Sequence, residues 1–391
     1  MKLARLQLNS YGLCGDLALQ IEYAVCLERH PLPAGGYLAQ LTLNAPARMN
    51  ALTLEMVTLL HRLLLELRDD SEAVAVFLDG AGSRGFCVGA DALRMRASAL
   101  GNPGGAAVEA EAFFAHEYAA AYLIHTFPKP VVCWGAGIVM GAGLGLMVGA
   151  SHRIVTDSSQ IAMPEISIGL FPNVGASWFL GQMPGHCGLF TALTGVGLSP
   201  ADGLYAGLAD YCLTDSSKTA VMRKLLSLDW CDDPQWNAEC LTECLTDIEA
   251  EQGATLGAAS LKNYRGWIDD ICSRVNAADV SKLIRQYRGA DPWLVKASQG
   301  HARGAASTAK LIFRQLESGR KLSLLDVFRM ELILSANRVR DPEFAEGVRA
   351  RLIDRDCDPH WCYRSIDEVP DLELDAMFNA PWAISPLDAL L

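Results

Sequence analysis

The run PVVCWGAGIVMGAGLGLMVGASH, residues 130–152, carries no Asp, Glu, Lys or Arg and is long enough to cross a bilayer. Six of its residues are glycine, each costing an isolated helix about 1 kcal/mol relative to alanine, and no hydrophobic companion span follows. The residue types fit a different structure. A buried strand, VVCW, turns through Gly135 and Gly137 into a glycine-rich helix start that another group must approach closely.

On both sides of this run, between residues 37 and 230, strand and helix patterns alternate. YLAQLTL, AVAVFLD and HRIVTD read as strands. TLEMVTLLHRLLLELRDD reads as an amphipathic helix opened by Thr53, and AEAFFAHEYAAAYLIHTF as a helix ended by Pro128. Ser199, Pro200 and Asp202 supply an N-cap, a first-turn proline and a capping-box acid. From about Asp233 the β-rich runs stop. STAKLIFRQLESGRK and SLLDVFRMELILSANRVRD read as helices, the second opened by Ser323 with Asp326 three residues on. A chain of 391 residues exceeds the usual size of one hydrophobic core, so three segments are expected: an N-terminal extension (1–35), an α/β core (36–230) and a mostly helical C-terminal region (231–391).

Charge and cysteine usage exclude several function classes. A formal charge of −12, with no block rich in Lys and Arg, would repel phosphate backbones, so nucleic acid is not an expected partner. The twelve cysteines are scattered and contain no CxxC, Cys240 and Cys244 coming nearest, and the eight histidines are isolated. Reduced thiols and no metal site are expected. The N-terminus, MKLARLQLNSYGLCGD, has no apolar block and no small-residue cleavage site, so it is not a secretory signal. A cytoplasmic location is expected ahead of the mitochondrial matrix, and no membrane partner.

The chemistry concentrates elsewhere. From Ser158 to Ala201 the only Asp, Glu, Lys or Arg is Glu165, within MPEISIGLFPNVGASW. A carboxylate among Ile, Leu, Phe and Trp is costly to desolvate unless it is paired, protonated or at the edge of a cavity; Arg153 is the candidate partner if its role is structural. Gly80, Gly82 and Gly85 form a GxGxxG after a strand, but FCVGAD interrupts where a dinucleotide-binding helix would have to begin. That loop instead offers backbone N–H groups near Val88 and Gly89. MGAGLG, residues 140–145, offers others at a helix start, and two such donors aimed at one point make an oxyanion hole.

GFCVGAD, GAGIVMGAGLGL and AMPEISIGLFPNVGASWFL, in this order and at these separations, resemble the enoyl-CoA hydratase/isomerase (crotonase) superfamily. EFAEGVRARLIDRDCDPHW, residues 343–361, and AHEY around Glu117 are similar to its 3-hydroxyisobutyryl-CoA hydrolase group. The resemblance implies a ββα spiral core that binds acyl-CoA, with CoA as part of the substrate and no separate cofactor. It puts the oxyanion-hole amides on Val88 and Ala142, and Gly89, Asp91, Gly141 and Glu117 near the substrate. It makes Glu165 the carboxylate that attacks the thioester or activates water. Hydratases of the superfamily carry two glutamates, whose positions match Gly145 and Glu165 here, so the paired acid/base machinery for hydration is missing. The hydrolase group has an aspartate eight residues after the glutamate, where this chain has Asn173; an amide can hydrogen-bond a 3-hydroxyl but cannot act as a base. Arg48 lies near the CoA-contacting segment, although the usual basic position matches Ala47. His116 and His125 are expected to pack rather than catalyse. A homo-oligomer, trimer or hexamer, follows by analogy.

Three functions remain open from the residues: hydrolysis of 3-hydroxyisobutyryl-CoA or a close β-hydroxyacyl-CoA, an isomerase- or hydratase-like reaction using Glu165 alone, and binding of acyl-CoA without turnover. On residues alone, Glu117 is as compatible with an exposed helix face as with a site.

Overall fold

The computed structural model describes residues 24–391; the N-terminal stretch MKLARLQLNSYGLCGD lies outside them. Two sheets organise the described chain. One has six strands in the order β1 (Val25–Pro31), β2 (Tyr37–Leu43), β3 (Ala73–Gly80), β5 (Val131–Gly135), β7 (His152–Thr156) and β9 (Tyr211–Leu213). The other has three short strands, β4 (Gly85–Cys87), β6 (Ile138–Met140) and β8 (Gln160–Ala162). Only β1 and β2 pair antiparallel; the remaining ladders are parallel.

Three times in succession, a strand of the large sheet is followed within a few residues by a strand of the small one: β3 to β4, β5 to β6, β7 to β8. The chain then leaves through helix or 3-10 turn and returns. This is the ββα spiral that the resemblance implied. The corner between β5 and β6 shows why glycine is needed there. Gly137 has φ +59°, and a methyl carbon built on it would lie 2.6 Å from the Arg84 carbonyl oxygen.

Helix α1 (Leu54–Asp69) starts at Thr53, whose side chain accepts from the Met56 N–H, as expected. Helix α2 (Ala92–Leu100) follows the β4 loop, and a strand therefore stands where a dinucleotide-binding helix would begin. Helix α3 (Val108–His125) packs against α1 on one side and against the C-terminal helix Leu324–Arg340 on another. Being enclosed, it is apolar nearly all round, which is the pattern of a buried helix rather than a surface one. Helix α4 (Ala142–Val148) is the glycine-rich helix start, and all seven of its residues are buried.

The C-terminal region contains no strand among the described residues, and it is not a separate layer. Helix Pro234–Gln252 covers the outer face of the large sheet, setting Leu241, Leu245 and Ile248 against Phe77, Val132 and Trp134. Helices Ala306–Gly319 and Leu324–Arg340 enter the main core, where Leu311, Ile312, Phe328 and Leu332 share one apolar cluster with Phe171 and Phe179. At the other end, β1 falls inside the expected extension 1–35 and forms an edge of the large sheet, so the α/β core begins ahead of residue 36. Among the described residues no helix is long and apolar enough to cross a membrane. The segment 130–152 divides instead into β5, β6 and α4.

Candidate active site

Glycines bring the three motifs to one place. A methyl carbon built on Gly89 would lie 3.1 Å from the Met140 carbonyl oxygen and 3.4 Å from the Ala142 nitrogen. One built on Gly143 would lie 2.5 Å from the Cys87 carbonyl oxygen, and one on Gly141, where φ is +52°, would lie 2.6 Å from Glu165 Oε1. The loop after β4, the start of α4 and the 3-10 turn Glu165–Ile168 therefore meet with no room for side chains between them. Each of these glycines is a close-approach glycine, which for Gly141 and Gly143 is what the uncharged run demanded.

At this junction, Glu165 is 6% exposed, its Oε2 is fully enclosed without a partner, and no other described residue donates to its carboxylate. Arg153, the candidate structural partner, is engaged by Asp210 and the Gly207 carbonyl instead. Burial raises the Glu165 carboxyl from the ordinary glutamate value to about 8, opposed only by its own backbone N–H. Glu117, on α3, is 1% exposed and leaves both carboxylate oxygens without a partner. Burial, then the neighbouring charges of Glu165 and Glu331, push it well above the usual range. Of its two possible settings, the enclosed one is realised.

The backbone donors are not equivalent. Among the described residues no acceptor meets the Ala142 N–H, the first of α4. The Val88 N–H, by contrast, donates to the Met49 carbonyl at 3.1 Å, and the Gly89 N–H to Cys87 Sγ at 3.3 Å. Both expected segments converge, but only one of the two expected amides is unengaged. Sequence spacing could not reveal this, because it depends on Met49 standing at φ +53° and Asn50 at φ +55°.

Asn173 lies 3% exposed and donates from Nδ2 to the Tyr118 hydroxyl at 2.8 Å, and Tyr118 in turn bonds the Ser335 hydroxyl at 2.6 Å. The next residue, Val174, stands at φ +60° with no exposure. For a β-branched side chain that conformation costs on the order of 1–3 kcal/mol and persists only where the surroundings enforce it. Its Cβ lies 2.6 Å from where a methyl carbon on Gly145 would be. The position matching the hydratases' second glutamate is thus not merely without a carboxylate; Val174 fills its space.

Two expected substrate-side residues have other occupations. The Asp91 carboxylate caps α2 by accepting the Arg94 N–H and pairs with Arg48 at 3.2 Å. Arg48 has no stronger tie, and an exposed pair of this kind contributes only about 0–1 kcal/mol. His125 packs edge-on against Phe328, and His116 lies 5.8 Å from His61 between ring centres. The described cysteines are free thiols, and among the described residues no group of three His, Cys, Asp or Glu could hold a metal. A cavity of about 170 Å³ between Ser307, Arg338, Glu343 and Leu374 shares no residue with this junction.

The enoyl-CoA hydratase/isomerase family profile matches residues 38–378. The chain belongs to that family. Among curated relatives it is similar to the "3-hydroxyisobutyryl-CoA hydrolase, mitochondrial" of Xenopus tropicalis, at 33% identity over 89% of this chain and 88% of the relative. The protein of the same name from Danio rerio is 32% identical over 88% of each. Among solved structures, the carnitinyl-CoA dehydratase of Mycobacterium thermoresistibile superposes with a TM-score of 0.80 at 30% identity, covering 93% of this chain and 98% of that one. The two curated relatives are named mitochondrial, which overturns the expected cytoplasmic location. The absence of an apolar block argues only against secretion, since a matrix presequence has none.

Sequence reasoning did not reach Tyr118, Ser335, Met49, Val174 or Glu331. One signal was available for Glu117. A helix apolar on every face is buried, so its interior carboxylate is buried with it.

Proposed function

We propose that this chain hydrolyses the thioester of 3-hydroxyisobutyryl-CoA or a close β-hydroxyacyl-CoA, releasing free CoA and the 3-hydroxy acid. The observation that carries the reading is the enclosed, unpartnered carboxylate of Glu165 beside Gly141 and the open amide of Ala142. Structural carboxylates that lie this deep find donors; one without them is poised for chemistry. Relatives of the same length carrying the hydrolase name support the same substrate class.

In this mechanism the thioester oxygen takes the Ala142 N–H. The Val88 N–H joins it by exchanging the Met49 carbonyl for the same oxygen, completing an oxyanion hole as charge develops. Glu165, ionised, either attacks the carbonyl carbon to give an acyl-enzyme anhydride that water opens, or takes the proton of an attacking water. In both routes the C–S bond breaks: in the first CoA leaves as thiolate and takes a proton from solvent before water opens the anhydride, and in the second the proton that Glu165 took from water passes to the departing sulfur. A poorly solvated carboxylate is more basic and less screened, which favours either role. Glu117, whose enclosure favours the protonated form, donates a hydrogen bond to the acyl group. Asn173 orients the 3-hydroxyl, and Arg48 meets a CoA phosphate. Coenzyme A arrives with the substrate.

The test is CoA release followed with a thiol reagent. Native protein releases thiol from 3-hydroxyisobutyryl-CoA, and Glu165→Gln loses about a hundredfold or more of that rate, the usual worth of a positioned base or nucleophile. A double-bond shift in a 3-enoyl-CoA without thiol release, or no turnover of any short β-hydroxyacyl-CoA, would overturn the reading.

A further inference from the structure

The left-handed turn at Asn173–Gly175 raises the question of what holds a buried valine in a conformation it disfavours. Glu331, from the helix Leu324–Arg340, supplies the first part of the answer. One carboxylate oxygen accepts the Gly175 N–H at 2.6 Å, and the other accepts the Ser177 N–H and hydroxyl at 2.7 Å each. Gln315, from the helix Ala306–Gly319, supplies the second part. Its side-chain amide donates to the Pro172 carbonyl at 2.6 Å and to the Ser177 hydroxyl at 2.9 Å. Glu331 and Gln315 are both 0% exposed, so water cannot replace a bond that is lost. Two helices that carry none of the family motifs therefore grip both flanks of Val174.

On its other side Val174 presses on α4. Gly141 is the N-cap residue of α4, and Gly145 lies within the helix one turn on. Gly141 meets Glu165, and Gly145 meets Val174, whose Cβ and Cγ1 would lie 2.6 and 2.7 Å from an added methyl carbon. A shift of the Val174 turn is therefore felt by the helix whose first amide is Ala142, and by Asn173, the adjacent residue.

We propose that Glu331 is a positioning residue for the reaction: through the strained turn at Val174 it fixes the seat of α4, and with it the Ala142 amide and the Asn173 side chain. Glu331 touches no reacting atom. Its carboxylate accepts three donors from the turn, and a fourth from the Gln315 amide at 3.4 Å, a task a neutral amide cannot perform, because one of its two ends is itself a donor.

The activity readout rests on the thioesterase reading above; the stability readout does not. Glu331→Gln should lower kcat for CoA release by about tenfold or more with KM changed less than about threefold, the signature of misplaced reacting groups rather than lost binding. Val174→Gly removes both the strain and the wedge, so in that background Glu331→Gln should cost less than about twofold in kcat, a non-additivity expected of residues acting through one element. Equal losses in both backgrounds, or a native kcat in Glu331→Gln, would overturn the proposal. Should Glu331→Gln fail to fold, Ser177→Ala removes one donor of the same clamp and should lower kcat by about two- to fivefold at constant KM; no change there would overturn it too. The thermal midpoints of the four proteins in the cycle need no substrate. If native protein turns over no β-hydroxyacyl-CoA, the functional reading fails, and the positioning claim is still decided by whether the two substitutions are non-additive in stability.

Discussion

Glu331 and Glu343 on one side, and Glu165 and Glu117 on the other, are buried alike, at 0% and 3% exposure against 6% and 1%. Their surroundings are opposite. Glu331 accepts three donors from one turn. Glu343 takes the Arg338 guanidinium at 2.9 Å, the Ser307 hydroxyl and the Cys362 N–H at 2.9 Å. Glu165 and Glu117 receive no hydrogen bond from another described residue, and the Ala142 N–H has no acceptor among the described residues. Burial by itself does not mark a site. A buried carboxylate with a full set of donors fixes the fold, and one without them retains reactivity that the rest of the fold must support.

The largest test of this contrast lies on its structural side. Arg338 donates to the Gly169 carbonyl, Ser307, Thr308 and Glu343. Replacing it with methionine leaves a buried carboxylate without its cation and should cost about 3–5 kcal/mol in a denaturant titration. A loss below about 1 kcal/mol would mean that this buried network is dispensable.

Glu165→Gln should move stability the other way, and pH separates the two effects. The folded Glu165 carboxyl titrates near 8, above its ordinary value of 4.5. Between those values the native state holds a proton that the unfolded chain has lost, so the stability this group contributes is complete below about 4.5 and drains away as pH rises through 8. At pH 9 Glu165→Gln should therefore be more stable than native protein by on the order of a few kcal/mol, and within about 1 kcal/mol of it at pH 4. Equal stability at both pH values would mean that burial does not raise the Glu165 carboxyl.

The same titration should appear in the rate. With the ionised form required, kcat/KM rises about tenfold per pH unit below 8 and levels above it. A flat profile from pH 6 to 9 would remove Glu165 from the rate law. The smallest effect is expected at Asn173. In Asn173→Asp the Tyr118 hydroxyl can turn and donate to the new carboxylate, keeping the contact with reversed polarity, while another charge is added near Glu117. Stability at pH 7 should fall by about 1–2 kcal/mol and CoA release should change by less than about tenfold. A larger gain in hydrolysis would show that the amide, rather than the carboxylate pair, limits this site.

The periodic elements were readable because each depends on neighbours in sequence. YLAQLTL and AVAVFLD became β2 and β3, Thr53 and Ser199 capped the helices they were expected to cap, and Ser323 did the same for the helix that carries Glu331. The three strands of the small sheet are three residues each, too short for any period to show. For the site, motif spacing was enough to bring together the three segments that carry Val88, Ala142 and Glu165. It could not foresee that Met49 would engage the Val88 amide, since left-handed backbone at a methionine has no compositional mark. Val174 escaped for the same reason, and Glu331 because its partners lie more than 150 positions away. Asp91 read as a site residue from its motif and works as a helix cap.

The most direct test of the central claim is the protonation state of Glu165 itself, read as the infrared difference between native protein and Glu165→Gln across pH 5 to 10. A protonated carboxyl band present at pH 6 and lost with a midpoint near 8 is the expected result. A carboxylate already ionised at pH 6 would contradict it, because it would mean that Glu165 has donors or water that the described structure does not give it.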